Sequence, residues 1–270
     1  MAHIERTTGN VYYESHGAGE PLIMIRGLGS NADHWYAQVP DLSGHYRVIT
    51  FDNRGIGRSS DSGEPFSIQD LAQDTVDLMD ALAIERAHVL GVSLGGMIAQ
   101  EIAIAYPQRV MGLILVATHC GGEHMVNAAE EVTEKIRRMV FEGSVAARAE
   151  AAEAFFAPRT MLERPQVVEE YAAVSTKYPP GTDILKRQWH AVSNHDTYDR
   201  LHRIAAATLV LTGAEDVLIP PANATRLSER IPRANLRVIA GGGHQILIEQ
   251  PVACNEAILA FLRKVDASEP

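Results

Sequence analysis

Apolar residues cluster along the chain in short unbroken runs separated by amphipathic stretches. Leu22-Ile23-Met24-Ile25, Arg47-Val48-Ile49-Thr50-Phe51, His88-Val89-Leu90-Gly91-Val92 and Leu113-Ile114-Leu115-Val116-Ala117 are such runs. None alternates apolar with polar. That pattern predicts strands covered on both faces, as in a parallel sheet sandwiched by helices. Val11-Tyr12-Tyr13-Glu14 reads as a further strand, followed by a Gly- and Pro-rich turn through Pro21. Between the runs the period changes to that of a helix. Ser67 is placed to cap a helix whose Ile68, Leu71, Thr75, Leu78, Met79 and Leu82 share one face. Leu94 to Tyr106 is apolar almost all round, which predicts a central buried helix ended by Pro107.

The strand-like runs stop near Gly121 and resume at Thr208-Leu209-Val210-Leu211-Thr212 and Leu236-Arg237-Val238-Ile239. The intervening stretch reads as helices. Met125, Ala129, Val132, Ile136, Met139 and Val140 fit one face, and further helices are predicted over 146–156, 166–176 and 183–192. Pro158, Pro165, Pro179 and Pro180 punctuate them. A final helix is predicted over 252–265, followed by a frayed tail from Asp266 to Pro270. The fold class is therefore α/β: a mostly parallel twisted sheet flanked by helices. Residues 1–120 and 208–270 form the core and 121–207 an inserted helical cap over one end of the sheet.

Composition narrows the functions open to such a fold. The 270 residues carry 24 Lys+Arg against 34 Asp+Glu, a net charge of −10, which disfavours phosphate neutralisation on nucleic acid. The polar start Met1-Ala2-His3-Ile4-Glu5-Arg6 lacks the apolar core of a signal peptide, and no apolar run reaches membrane-spanning length. The two cysteines, Cys120 and Cys254, cannot build a disulfide framework or a paired metal motif. A cytoplasmic, reducing setting is the expectation. Oligomeric state is not legible.

The strongest chemical signal is Gly91-Val92-Ser93-Leu94-Gly95-Gly96, where a buried strand meets a buried helix. A serine on that sharp turn projects its hydroxyl beyond the end of the sheet. A hydroxyl needs a base to become a nucleophile, and the base needs an orienting acid. Two later loops supply them, each directly after a strand. One holds Thr212-Gly213-Ala214-Glu215-Asp216 and the other Gly241-Gly242-Gly243-His244. Parallel strands bring their C-terminal ends to one edge, so both loops are expected beside Ser93. His244 is the candidate base, and Asp216 or Glu215 its orienter. The oxyanion donors are expected to be the backbone N–H groups of Leu94 and of Leu28, within Arg26-Gly27-Leu28-Gly29-Ser30.

These segments, with Phe51-Asp52-Asn53-Arg54-Gly55-Ile56-Gly57-Arg58-Ser59, together resemble the α/β-hydrolase superfamily. Within it the chain looks most like the bacterial group around 3-oxoadipate enol-lactonases and related esterases with a helical lid. The resemblance favours Asp216 over Glu215. It implies a cofactor-free serine hydrolase acting on a small carboxylic ester or lactone. Carbon–carbon bond hydrolases and peroxidase-like enzymes of the group share the same three residues, and a non-catalytic ligand receptor is the remaining rival. An aspartate-dependent dehalogenase is disfavoured, because Ser93 stands at the elbow.

Arg26 departs from the family, where histidine often precedes the glycine. An ion pair with a nearby acid is the expected role, and a carboxylate contact at the pocket floor the alternative. Gly55-Ile56-Gly57-Arg58-Ser59 lacks the third glycine of a dinucleotide fingerprint and reads as a tight loop. His119 and Cys120 are expected at the cap hinge, with a pocket-lining role as the alternative. Asn194-His195-Asp196 has no second cluster with which to bind a metal. Trp189, Met125, Met139 and Met161 line an apolar pocket or pack the cap on the core; Trp189 is the candidate substrate contact.

Overall fold

The computed structural model describes residues 2–6 and 9–268. Its strands are β1 (Ala2–Ile4), β2 (Val11–His16), β3 (Pro21–Ile25), β4 (Arg47–Phe51), β5 (Ala87–Val92), β6 (Val110–Val116), β7 (Ala207–Gly213) and β8 (Ala234–Ile239). They form one sheet in the order β1-β2-β4-β3-β5-β6-β7-β8. β1 and β2 are antiparallel, and β3 to β8 run parallel to one another.

The continuous apolar runs have a direct cause. Ile23, Ile25, Ile49, Val89, Leu113 and Leu115 face one core. Leu22, Met24, Val48, Leu90, Ile114 and Val116, their neighbours in sequence, face another on the opposite side. Each such fully buried aliphatic side chain contributes roughly 1.5–3 kcal/mol, so alternation would have forfeited half of that stabilisation.

The helices are α1 (Val39–Leu42), α2 (Ile68–Ala81), α3 (Leu94–Ala105), α4 (Glu130–Glu142), α5 (Val145–Phe155), α6 (Pro158–Glu163), α7 (Pro165–Lys177), α8 (Thr182–Ser193), α9 (Ala222–Arg230), α10 (Ile246–Glu249) and α11 (Pro251–Asp266). Ser67 caps α2 as expected. Its Oγ accepts from the Asp70 N–H at 3.1 Å, while Asp70 Oδ2 accepts from the Ser67 N–H at 2.7 Å. α3 is buried from Leu94 to Ile104 and stops before Pro107. α4 to α8 intervene between β6 and β7 and enclose a small core of Val132, Ile136, Met139, Val140, Ala151, Ala154 and Leu185.

Several details correct the sequence reading. α4 begins at Glu130, so Met125 and Ala129 precede it. Pro158 and Pro165 stand at the first position of α6 and α7, where a missing N–H costs nothing. Asp266 ends α11 rather than fraying: its carboxylate accepts from Tyr46 Oη at 2.7 Å and lies 2.9 Å from His88 Nε2. Glu269 and Pro270, the end of the expected tail, lie outside the described residues. Cys120 and Cys254 are free and buried. Among the described residues no helix is long and apolar enough to cross a membrane.

Candidate active site

The strand order places the ends of β3, β5, β6, β7 and β8 along one rim, and every candidate residue but Trp189, which lies on α8, follows one of those ends. At the end of β5, Ser93 takes φ 56° and ψ −121°, a conformation that L side chains rarely adopt. Two glycines permit it. A Cβ on Gly91 would stand 2.1 Å from the Gly95 carbonyl oxygen, and one on Gly95 the same distance from that of Ile25. Thr118 Oγ1 donates to the Ser93 carbonyl at 2.8 Å and braces the turn from β6.

After β7, Asp216 folds into a turn in which its Oδ1 accepts from the N–H groups of Leu218 (3.0 Å) and Ile219 (2.7 Å). Its Oδ2 is left to accept from His244 Nδ1 at 3.0 Å. Both side chains are buried, whereas Glu215 is exposed, so the structure pairs Asp216 and not Glu215 with the histidine. With Nδ1–H engaged, His244 Nε2 is the free acceptor. Ser93 and His244 line one cavity of about 440 Å³, the size of a small-molecule site. No direct hydrogen bond joins their side chains among the described residues. Leu28 and Leu94 line the same cavity, and their backbone N–H groups donate to nothing among the described residues.

Three supports were not legible in the sequence. Gln188 of α8 accepts from the Gly29 N–H at 2.8 Å and fixes the loop carrying Leu28. Glu249, at the end of α10, accepts from the N–H groups of Gly243 and Ala157, each at 2.8 Å, and from Thr160 Oγ1 at 2.7 Å. Burial raises the pKa of Glu249 despite these donors. The Gln245 N–H donates to the Phe155 carbonyl at 2.8 Å. The His244 loop is therefore clasped to the start of α6 and the end of α5.

Arg26 differs from its expected role. It is 1% exposed and pairs with no acid among the described residues. Its guanidinium stacks over Trp35 at 4.7 Å and reaches Gln245 Oε1 only at 3.5 Å, leaving Nε and Nη1 unpartnered. Burial lowers its pKa, yet guanidinium remains cationic. Arg26, Gln245 and Tyr171 all border the cavity beside Ser93.

Much of the cavity lining is apolar. Trp189, Met125, Met139, Ile136 and Leu218 contribute to it, but Met161 does not. His119 lines the cavity too, whereas Cys120 packs in the core. His195 also borders the cavity, and the described residues contain no cluster of three or more metal-ligating side chains. Burial, reinforced by the neighbouring His244, pushes His119 down to about 4. Burial does the same to His195, down to about 3. The 53–59 segment is the expected tight loop, with Gly55 and Gly57 at positive φ around the Asp52 carboxylate.

This architecture is that of a hydrolase, and the chain belongs to the α/β-hydrolase fold family, which it matches over residues 20–251. It is similar to a protein of Azorhizobium caulinodans named as a carbamate hydrolase, RutD, at 32% identity over 98% of this chain and 100% of that one. Among solved structures it resembles Est816, an N-acyl homoserine lactone degrading enzyme, at 32% identity and a TM-score of 0.83, covering 96% of this chain and 100% of that one. It also resembles a thermophilic esterase from Thermogutta terrifontis at 27% identity and a TM-score of 0.85, covering 98% and 99% of the two chains.

Proposed function

We propose that the protein is a cofactor-free serine hydrolase that cleaves a small carboxylic ester or lactone. The carrying observation is the His244–Asp216 bond, presented to the same cavity as Ser93. In this reading Ser93 Oγ attacks the acyl carbon while His244 Nε2 takes its proton. The Asp216 carboxylate holds Nδ1–H and stabilises the imidazolium. The N–H groups of Leu28 and Leu94 receive the charge on the carbonyl oxygen, each donor contributing about 3–4 kcal/mol to the transition state. His244 then protonates the leaving oxygen, and a water it activates hydrolyses the acyl-enzyme. Residues 121–207 act as a cap that supplies Trp189 to the acyl or alkoxy group, and Arg26 places a positive charge at the floor. The esterase and the lactone-degrading enzyme among the similar structures support the substrate class.

The relative named as a carbamate hydrolase favours a second reading, in which the same attack falls on a carbamoyl carbon. A fluorophosphonate probe followed by peptide mapping tests the nucleophile. A panel of p-nitrophenyl esters, lactones and carbamates tests the substrate. The expected result is labelling at Ser93, turnover of esters or lactones, and loss of both in a folded Ser93→Ala variant. Undiminished turnover in that variant overturns the mechanism; turnover of carbamates alone selects the second reading.

A further inference from the structure

The cavity that holds Ser93 carries a polar group that the proposed mechanism does not use. His119 follows β6 and lies one residue beyond Thr118, whose hydroxyl braces the Ser93 carbonyl. Its side chain is buried, at 4% exposure, yet borders the cavity. The Gly121 N–H donates to His119 Nδ1 at 3.0 Å. A ring nitrogen that accepts a hydrogen bond carries no proton, so a neutral imidazole held this way has its proton on Nε2. Nε2 makes no hydrogen bond among the described residues, and it is not one of their sealed, unpartnered atoms. It therefore faces the open space of the cavity.

His195 borders the same cavity. Both of its ring nitrogens are buried without a hydrogen-bond partner, and its nearest acid, Glu101, is 3.8 Å away and already held by Arg200 at 2.7 Å. Gly121 joins the two histidines: its N–H fixes His119, and a Cβ there would strike the His195 carbonyl oxygen at 1.8 Å. Most of the cavity surface is apolar, with Met97, Val192 and Ile219 among the residues that line it. An unpartnered N–H donor in a mostly apolar cavity costs free energy when the cavity is filled by hydrocarbon and recovers it when an oxygen sits opposite.

We propose that His119 Nε2–H is a specificity-determining donor that selects substrates bearing a second, uncharged acceptor oxygen, such as a ketone or ether, besides the reacting carbonyl. This rests on the ester or lactone reading above and names its substrate class further. A neutral donor suits an uncharged oxygen. The ring also keeps its proton arrangement across the working pH range, since burial holds it well below the ordinary histidine value. A surface role for His119 is excluded by its burial, and a proton-relay role by Nδ1, which is occupied by a backbone N–H rather than by an acid.

The experiment compares kcat/KM for p-nitrophenyl esters matched in chain length, one with a methylene and one with an oxo or ether oxygen at successive positions. It is run on the whole protein, and on His119→Phe and His119→Gln. In the wild type, one position of the oxygen is expected to raise kcat/KM about tenfold over its methylene partner. Phe keeps the ring shape without the donor and is expected to bring that ratio to about one; Gln, whose amide reaches the Nε2 position, restores part of it. Circular dichroism and thermal melting establish that each variant is folded. Should neither variant fold, an imidazole nitrogen spectrum of the wild type with and without an oxo-bearing product decides, since the bound oxygen must shift the His119 Nε2–H signal. A ratio near one at every position, in a wild type that hydrolyses simple esters, overturns this inference alone. Absence of any hydrolysis overturns the esterase reading and the inference with it. A preference that survives unchanged in folded His119→Phe also overturns the assignment to this residue.

Discussion

Acidification from pH 7 to pH 5 is expected to remove much of the protein's stability, because three imidazoles are buried in neutral form. His34 is pushed down to about 3 by burial and by the Arg26 charge, His195 to about 3, and His119 to about 4. In the unfolded chain each returns to about 6.5. Below pH 6.5 the unfolded state therefore binds more protons, and acid favours it. The stability lost runs from pH 6.5 downward and levels off only near the folded values of 3 to 4. At pH 5 each ring costs roughly 1.36 × 1.5, or about 2 kcal/mol, so the three cost about 6 kcal/mol together. That is a large share of the roughly 5–15 kcal/mol that holds a domain together. Glu249 acts in the opposite sense, since its raised folded pKa favours the folded state as pH falls. Asp33 and Asp70, held low, lose their contribution only below the window considered. Urea unfolding at pH 7.0 and 5.0 measures the difference. The slope of stability with pH near 5 reports about three protons taken up on unfolding, and His34→Gln removes one of them. Equal stability at the two pH values, within about 1 kcal/mol, refutes the argument that these rings are buried and neutral.

Three mutational outcomes follow from the site. Asp216→Asn keeps the fold but frees His244 from the tautomer that exposes Nε2, and kcat is expected to fall about 10⁴-fold in a p-nitrophenyl ester assay. Arg26→Met removes two unpartnered N–H groups, each costing about 1–3 kcal/mol, against a stacking contact with Trp35 of up to about 2 kcal/mol. Denaturation is expected to show net stabilisation of about 1–3 kcal/mol, while kcat/KM falls for anionic esters relative to neutral ones; destabilisation would show that the charge is already compensated. Gly95→Ala drives a Cβ into the Ile25 carbonyl at 2.1 Å and is expected to cost about 3 kcal/mol or more, visible as a lowered melting temperature.

The strands of the parallel sheet were legible because burial on both faces leaves no polar position to break the run, as in β3 and β5. β1 escaped because three edge residues carry no period, and α9 because only Asn223, Ala224 and Leu227 are buried on it. Ser93, Asp216 and His244 were legible from topology, since each follows a strand whose end the parallel arrangement fixes. The choice between Asp216 and Glu215 was not local: it depends on which carboxylate turns back onto the N–H groups of Leu218 and Ile219. The surroundings of Arg26 were equally out of reach. Its neighbour Gln245 is 219 residues away, and nothing in Arg26-Gly27-Leu28 signals the lack of an acid. Gln188 and Glu249 act through backbone N–H groups of distant segments, a role that any residue type context leaves unmarked.

The clasp at Glu249 bears on how this scaffold can be altered. One carboxylate grips both the glycine before His244 and the first turn of α6, so the two cannot be exchanged separately. Grafting the 121–207 segment from a homologue to change selectivity would pull on the imidazole unless the 241–250 segment travelled with it. Chimeras built as that matched pair should retain turnover, and recombination breakpoints placed between them should not.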